Sequence, residues 1–99
     1  MVKLVVAYGP PDDRAAFDAH YAQTHEPLAR KIPNLRQFEA GKVLGTPDGS
    51  AAPYYLIAQL SFDDAEALQT AMGTEEGQAA AADVATFASG GATMMVLEG

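Results

Sequence analysis

Cysteine and tryptophan are both absent from the 99 residues. Without a thiol there is no disulfide, no thiolate nucleophile and no cysteine-held metal, and nothing points to an oxidising compartment. Long apolar runs are missing too: no stretch approaches the ~20 residues that span a bilayer. The chain opens Met1-Val2-Lys3 and a short apolar run without a signal-peptide core, so a cytoplasmic protein with no membrane association is expected. Positive charge is scarce: thirteen acids face six bases, for a net charge of -7. No surplus of cations exists to displace counterions from a phosphate backbone, which argues against nucleic-acid partners. The last base is Lys42; the eight acids from Val43 onward read as a solvated helix face or as a surface for a charge-complementary partner. There is no G-x-G-x-x-G, no P-loop and no G-x-S-x-G, and Ser50, Ser61 and Ser89 sit in turn or cap contexts. Nothing marks a flavin or nicotinamide site, and no cofactor is expected.

The length suits one domain over residues 1–99, too small for two cores. Hydrophobic residues reach 48%, but twenty are alanines, leaving four Phe, four Tyr and four Met to supply much of the bulk. Val2 to Tyr8 is rich in β-branched residues and stops at Gly9-Pro10-Pro11. Asp12 or Asp13 can cap a helix running to about Ile32, and Pro27 should kink it or split it in two. A strand follows from Leu35 to Leu44, a turn at residues 45–50, and a strand from Tyr54 to Phe62. Asp63-Asp64-Ala65-Glu66 has the form of a capping box for a helix to about Met72. Thr74 opens an alanine-rich helix to about Phe87, and Thr93 to Leu97 forms the last strand. The order β-α-β-β-α-β predicts an α+β, ferredoxin-like layer: four antiparallel strands with helices on one face.

Both faces of that sheet read as apolar. Tyr54, Leu56, Ala58, Leu60 and Phe62 alternate with Tyr55 and Ile57, and Thr93, Met95 and Leu97 with Met94 and Val96. Helices cover one face only, so a homodimer is expected to cover the other.

The first helix carries the most informative pattern. Phe17, His20, Tyr21, Thr24, His25 and Leu28 follow the i, i+3, i+4, i+7, i+8, i+11 spacing of a core-facing stripe. A closed core would use aliphatic residues; two imidazoles, a phenol and a hydroxyl each need a partner when buried. Such a stripe suits the wall of a small polar-edged cavity for a small-molecule ligand. His25, just before the Pro27 kink, is the candidate acid or base, with Tyr21 to orient a substrate oxygen. Tyr8, Phe17, His20 and Thr24 are candidate ligand contacts, and Phe38, Phe62 and Phe87 candidate walls. A metal is not expected, because histidines five apart point about 140° from one another on a helix.

The run from Phe17 to Leu28 with its Thr24-His25-Glu26-Pro27-Leu28 core, followed by Lys31-Ile32-Pro33-Asn34-Leu35, resembles the EthD (ethyl tert-butyl ether degradation) family. Glu76-Gly77-Gln78-Ala79, Ala82-Asp83-Val84 and Phe87-Ala88-Ser89-Gly90-Gly91 look like its second-helix region. The resemblance covers essentially the whole chain. It implies a dimeric α/β barrel with a small pocket between sheet and helices in each subunit, and His25 as the family's recurrent histidine, beside Tyr21, Phe17 and Tyr8. Two functions are compatible with it. One is an accessory protein of catabolism or secondary metabolism that binds a small apolar or aromatic molecule. The other is a cofactor-free enzyme of dehydratase, decarboxylase, isomerase or monooxygenase type, with His25 shuttling a proton.

Overall fold

A computed structural model describes all of residues 1–99. Its elements are β1 (Val2–Tyr8), α1 (Arg14–His20), a π-turn (Tyr21–His25), α2 (Glu26–Arg30), β2 (Gln37–Lys42), β3 (Leu56–Phe62), α3 (Ala65–Met72), α4 (Glu75–Phe87) and β4 (Ala92–Glu98). The four strands form one antiparallel sheet in the order β2-β3-β1-β4. This is the expected ferredoxin-like layer. No helix is long and apolar enough to cross a membrane.

Side-chain alternation divides the sheet. Leu4, Val6 and Tyr8 of β1 and Leu56, Ala58, Leu60 and Phe62 of β3 face the helices and are buried. They pack with Phe17, Tyr21, Ala29, Ile32, Leu68, Ala71 and Ala80 in one core. The opposite face presents Val5, Ile57, Met95 and Leu97 interleaved with Lys3, Gln59 and Thr93, and Ala7 on this side is buried. The edge strand β4 is exposed along its whole length, with Met94, Met95, Val96 and Leu97 between 47% and 59% accessible. Tyr55 does not join the open face, as alternation from Tyr54 suggested. The regular strand begins only at Leu56, and Tyr55 lies edge-on to Phe17 and donates its hydroxyl to Asp18 on α1.

Local chemistry sets the helix ends. Asp13 accepts from the Ala16 N–H, and Thr74 from the Gly77 N–H. The second helical unit departs from the expected capping box. Asp64, not Asp63, is the cap, accepting from the Ala67 N–H, so Glu66 falls one position short of the box geometry. Asp63 instead receives two hydrogen bonds from Arg36, at 2.7 and 2.9 Å, tying the entry of β2 to the end of β3. α3 and α4 meet at Gly77, where a Cβ would lie 2.3 Å from the Ala71 carbonyl oxygen. Only glycine permits that approach.

Pro27 acts as expected, and the form of the break matters. Proline offers no N–H to the Gln23 carbonyl, and the chain accommodates this with a π-turn in which the Glu26 N–H donates to Tyr21 O, five residues back. Phe17, Tyr21, His25 and Ala29 recur every four residues and are all buried. In a straight α-helix each such step drifts by about 40°. The wider turn removes part of that drift and holds all four on the core side.

Candidate functional site

The π-turn delivers Tyr21 and His25 to a cleft between the helices and the sheet. Tyr8 from β1 and Phe38 from β2 share its wall with aliphatic residues from every layer, among them Leu4, Val6, Ile32, Leu60 and Val84. His25 is the one lining residue that is not hydrophobic. The cleft spans about 400 Å3 including its open mouth, but only about 30 Å3 of that admits a water-sized sphere. Two methionines, Met72 and Met94, complete the lining, and their flexible thioethers can move aside for a larger guest.

His25 is buried and oriented from both sides of its ring. Nδ1 lies 3.0 Å from Oδ2 of Asp83, on α4, and Nε2 lies 3.3 Å from the Tyr8 hydroxyl. An ionised carboxylate only accepts, so Nδ1 carries the proton and Nε2 keeps its lone pair toward Tyr8 and the cleft. Burial lowers the proton affinity of His25 below the ordinary histidine value, and the Asp83 carboxylate offsets part of that. For Asp83 itself burial works upward, but hydrogen bonds from His20, His25 and Thr86 prevail and hold its carboxyl below the usual range. Burial pushes both Tyr8 and Tyr21 far above the ordinary phenol value, so both are neutral donors. Tyr21 has a further peculiarity: its buried hydroxyl has no hydrogen-bond partner.

Of the residues singled out from the sequence, Tyr8, Tyr21, His25 and Phe38 line the cleft. Phe17 and Phe87 back it: Phe87 packs on Tyr8, Tyr21 and His25 with ring centroids 4.9 to 5.9 Å apart, and Phe17 stacks on Tyr21. Three do not reach it. Thr24 is exposed, because the wide turn that brings His25 beneath Tyr21 rotates Thr24 outward. Phe62 is fully buried at the far end of β3, in the core rather than at the cleft. His20 faces a separate opening beside Asp12, Asp13, Thr86 and Ser89.

Asp83 is the residue to which sequence reasoning gave no role, naming it only within the Ala82-Asp83-Val84 run and counting it among the acids after Val43. A signal was present. Gly77, Ala80, Val84 and Phe87 form the inward stripe of α4, and Asp83 lies beside it, one turn from Ala80 and from Phe87. An acid bordering an apolar stripe calls for a buried partner. His20 and His25 each turn one ring nitrogen to Asp83, and no group of three His, Cys, Asp or Glu side chains is arranged to hold an ion.

Comparison with known proteins places this geometry in a family. An uncharacterised 11.0 kDa protein from the thcB-thcC intergenic region of Rhodococcus erythropolis is 45% identical over 95 residues, covering 96% of this chain and 91% of that one. The crystal structure of an EthD family protein from Bacillus halodurans is 44% identical and superposes with a TM-score of 0.95 over 100% of this chain and 98% of its own. More distant structures share the fold. A dimeric ferredoxin-like protein of unknown function from Thermobifida fusca has a TM-score of 0.72 at 14% identity, covering 97% and 88% of the two chains. SnoaB, a cofactor-independent oxygenase from Streptomyces nogalater, has a TM-score of 0.66 at 15% identity, covering 99% and 91%. The family model described as the EthD domain matches residues 9–91. With that match over most of its length and close relatives that align nearly end to end, the chain belongs to the EthD family.

Proposed function

We propose that the protein binds a small, uncharged, largely apolar molecule bearing a hydroxyl or carbonyl oxygen, in the cleft beneath Tyr21 and His25. The observation that carries this reading is the Tyr21 hydroxyl, buried against apolar walls with no partner. Leaving such a group unmade costs about 1–3 kcal/mol, and a ligand oxygen would recover it. No Lys or Arg lines the cleft and Asp83 stands behind His25, so a carboxylate or phosphate would meet no counter-charge. An accessory role in catabolism or secondary metabolism accords with this reading.

The test is thermal stabilisation by 2-naphthol, naphthalene and 2-naphthoate at equal free concentration. Naphthol should raise the melting temperature most, naphthalene less and naphthoate not at all. If no uncharged aromatic raises it, or if naphthoate does so best, the reading fails.

A second reading is favoured by the Asp83–His25 contact, which leaves Nε2 unprotonated at the cleft wall, where it accepts from Tyr8. His25 would take a proton from carbon next to a carbonyl, with Tyr21 or Tyr8 donating to the enolate oxygen, and return it to the same carbon. Exchange of the α-protons of 2-tetralone in D2O, followed by NMR, tests this. The exchange should exceed the buffer rate and disappear in His25→Gln; equal rates in the two proteins would refute it.

We also infer a homodimer, built by closing a second copy over the open sheet face. Val5, Ile57, Met95 and Leu97 give that face an apolar band, and β4 has no cover on either side. The dimeric Thermobifida relative shares the fold. Sedimentation at micromolar concentration should give twice the chain mass, and a folded monomer there would overturn the inference.

A further inference from the structure

One carboxylate serves two imidazoles. Asp83 receives His25 Nδ1 on Oδ2 at 3.0 Å, while His20 Nε2 reaches both of its oxygens, at 2.9 and 3.0 Å. The Phe87 ring packs against both imidazoles, with centroids 5.0 Å from His20 and 4.9 Å from His25. The two rings differ in their access to water. The side chain of His20 is 31% exposed at its own opening and that of His25 only 7%. His20 therefore has no place in the cleft, yet it touches the group that orients the base there.

We propose that His20 is a positioning residue that acts on His25 through Asp83, keeping Nε2 of His25 unprotonated at the cleft wall, where it accepts from Tyr8. An aspartate dedicated to one histidine favours the imidazolium and so puts a proton on that nitrogen. Here the same anion is divided. When His20 takes a proton from solvent on Nδ1, its Nε2–H bond to Asp83 becomes charge-assisted. A second positive charge on His25 would then lack a counter-ion of its own. The two protonations oppose each other. Both burial and the neighbouring His20 lower the proton affinity of His25, in line with this scheme.

The surroundings add no competing cation. His20 faces Asp83 and Thr86 on α4, His25 on the π-turn, and an opening bordered by Asp12 and Asp13. His25 faces Asp83, Tyr8 on β1 and Tyr21 of its own turn, and both phenols are neutral. The inference rests on the reading of His25 as the basic group of the cleft, but its test needs no ligand.

That test is an NMR titration of the two imidazole rings in the wild type and in His20→Gln, whose amide can still donate to Asp83 but cannot take charge. In the wild type each ring should show an inflection at the other's midpoint. In His20→Gln the His25 midpoint should rise by about one pH unit. A purely structural His20 would leave that midpoint in place, so an unchanged or lowered value in a folded variant overturns the proposal. Should His20→Gln not fold, the wild-type curves decide: coupled inflections support the proposal and two independent single-step titrations refute it. Coupled rings in a protein that binds no uncharged aromatic would instead sink the ligand reading and leave this one intact.

Discussion

Replacing Tyr21 by Phe isolates the hydroxyl on which the ligand reading depends. The ring stays where it is: it stacks on Phe17 at 5.9 Å, meets Tyr8 edge-on at 5.8 Å, and touches Phe87 and His25, all through carbon surface that phenylalanine keeps. Only the oxygen is lost, and that oxygen is buried without a partner. An unmet buried hydroxyl costs about 1–3 kcal/mol, and its removal leaves a void that returns a fraction of this. The free protein should therefore gain about 1 kcal/mol. For a chain of this length that corresponds to a rise of about 4–8 °C in melting temperature. Melts followed by circular dichroism at matched protein concentration would measure it, because a dimer's midpoint depends on concentration. The same variant should lose the preference for naphthol over naphthalene, a loss of about one hydrogen bond, or fivefold in affinity. A Tyr21→Phe protein that melts several degrees lower would show that the hydroxyl is already satisfied, and the case for a ligand oxygen there would fall.

Three further outcomes follow from particular contacts. Acid should unfold the protein in two stages. His25 has a lowered folded-state value, so its contribution is present above its unfolded value of about 6.5 and is lost as pH falls from there through the folded value. Asp83 and Asp18, also lowered, contribute above about 4 and lose that contribution as pH falls through their folded values. Melting temperature against pH should show both stages, and His25→Phe should remove the first. Gly77→Ala forces a Cβ against the Ala71 and Met72 backbone and should cost about 1–3 kcal/mol in urea unfolding; an unchanged midpoint would mean that α4 shifts freely. Leu97→Lys with Met95→Lys puts two charges on the open face and should yield a monomer by sedimentation; an intact dimer would place the interface elsewhere.

Much of the fold was legible because local chemistry and hydrophobic pattern agree along the chain. The four strands follow from alternation, and the helix starts at Asp13 and Thr74 from their side-chain acceptors. What misled the reading was phase. Placing Thr24 in the stripe beside His25 assumed α-helical spacing from Phe17 to Leu28, and the π-turn ahead of Pro27 moved Thr24 out while keeping His25 in. The Asp63-Asp64 pair shows the same limit at smaller scale, since either acid can cap and only the distant Arg36 settles which one does. Asp83 was illegible for another reason: its meaning depends on His20 and His25, more than fifty residues away, and composition sees only one more acid.

The π-turn implies that the first helix holds one residue more than its core face needs, and absorbs it locally. Five residues there occupy a turn that an α-helix would close with one fewer. Deleting Gln23 alone, an exposed residue that lines no part of the cleft, would let the bonding revert to a straight α-helix and bring Phe17, Tyr21, His25 and Ala29 to i, i+4, i+7 and i+11, within about 60° of one face. A relative that keeps every named side chain but lacks one residue between Tyr21 and Pro27 would carry the same stripe on a straight helix, and a gap there in an alignment would be no sign of a lost cleft.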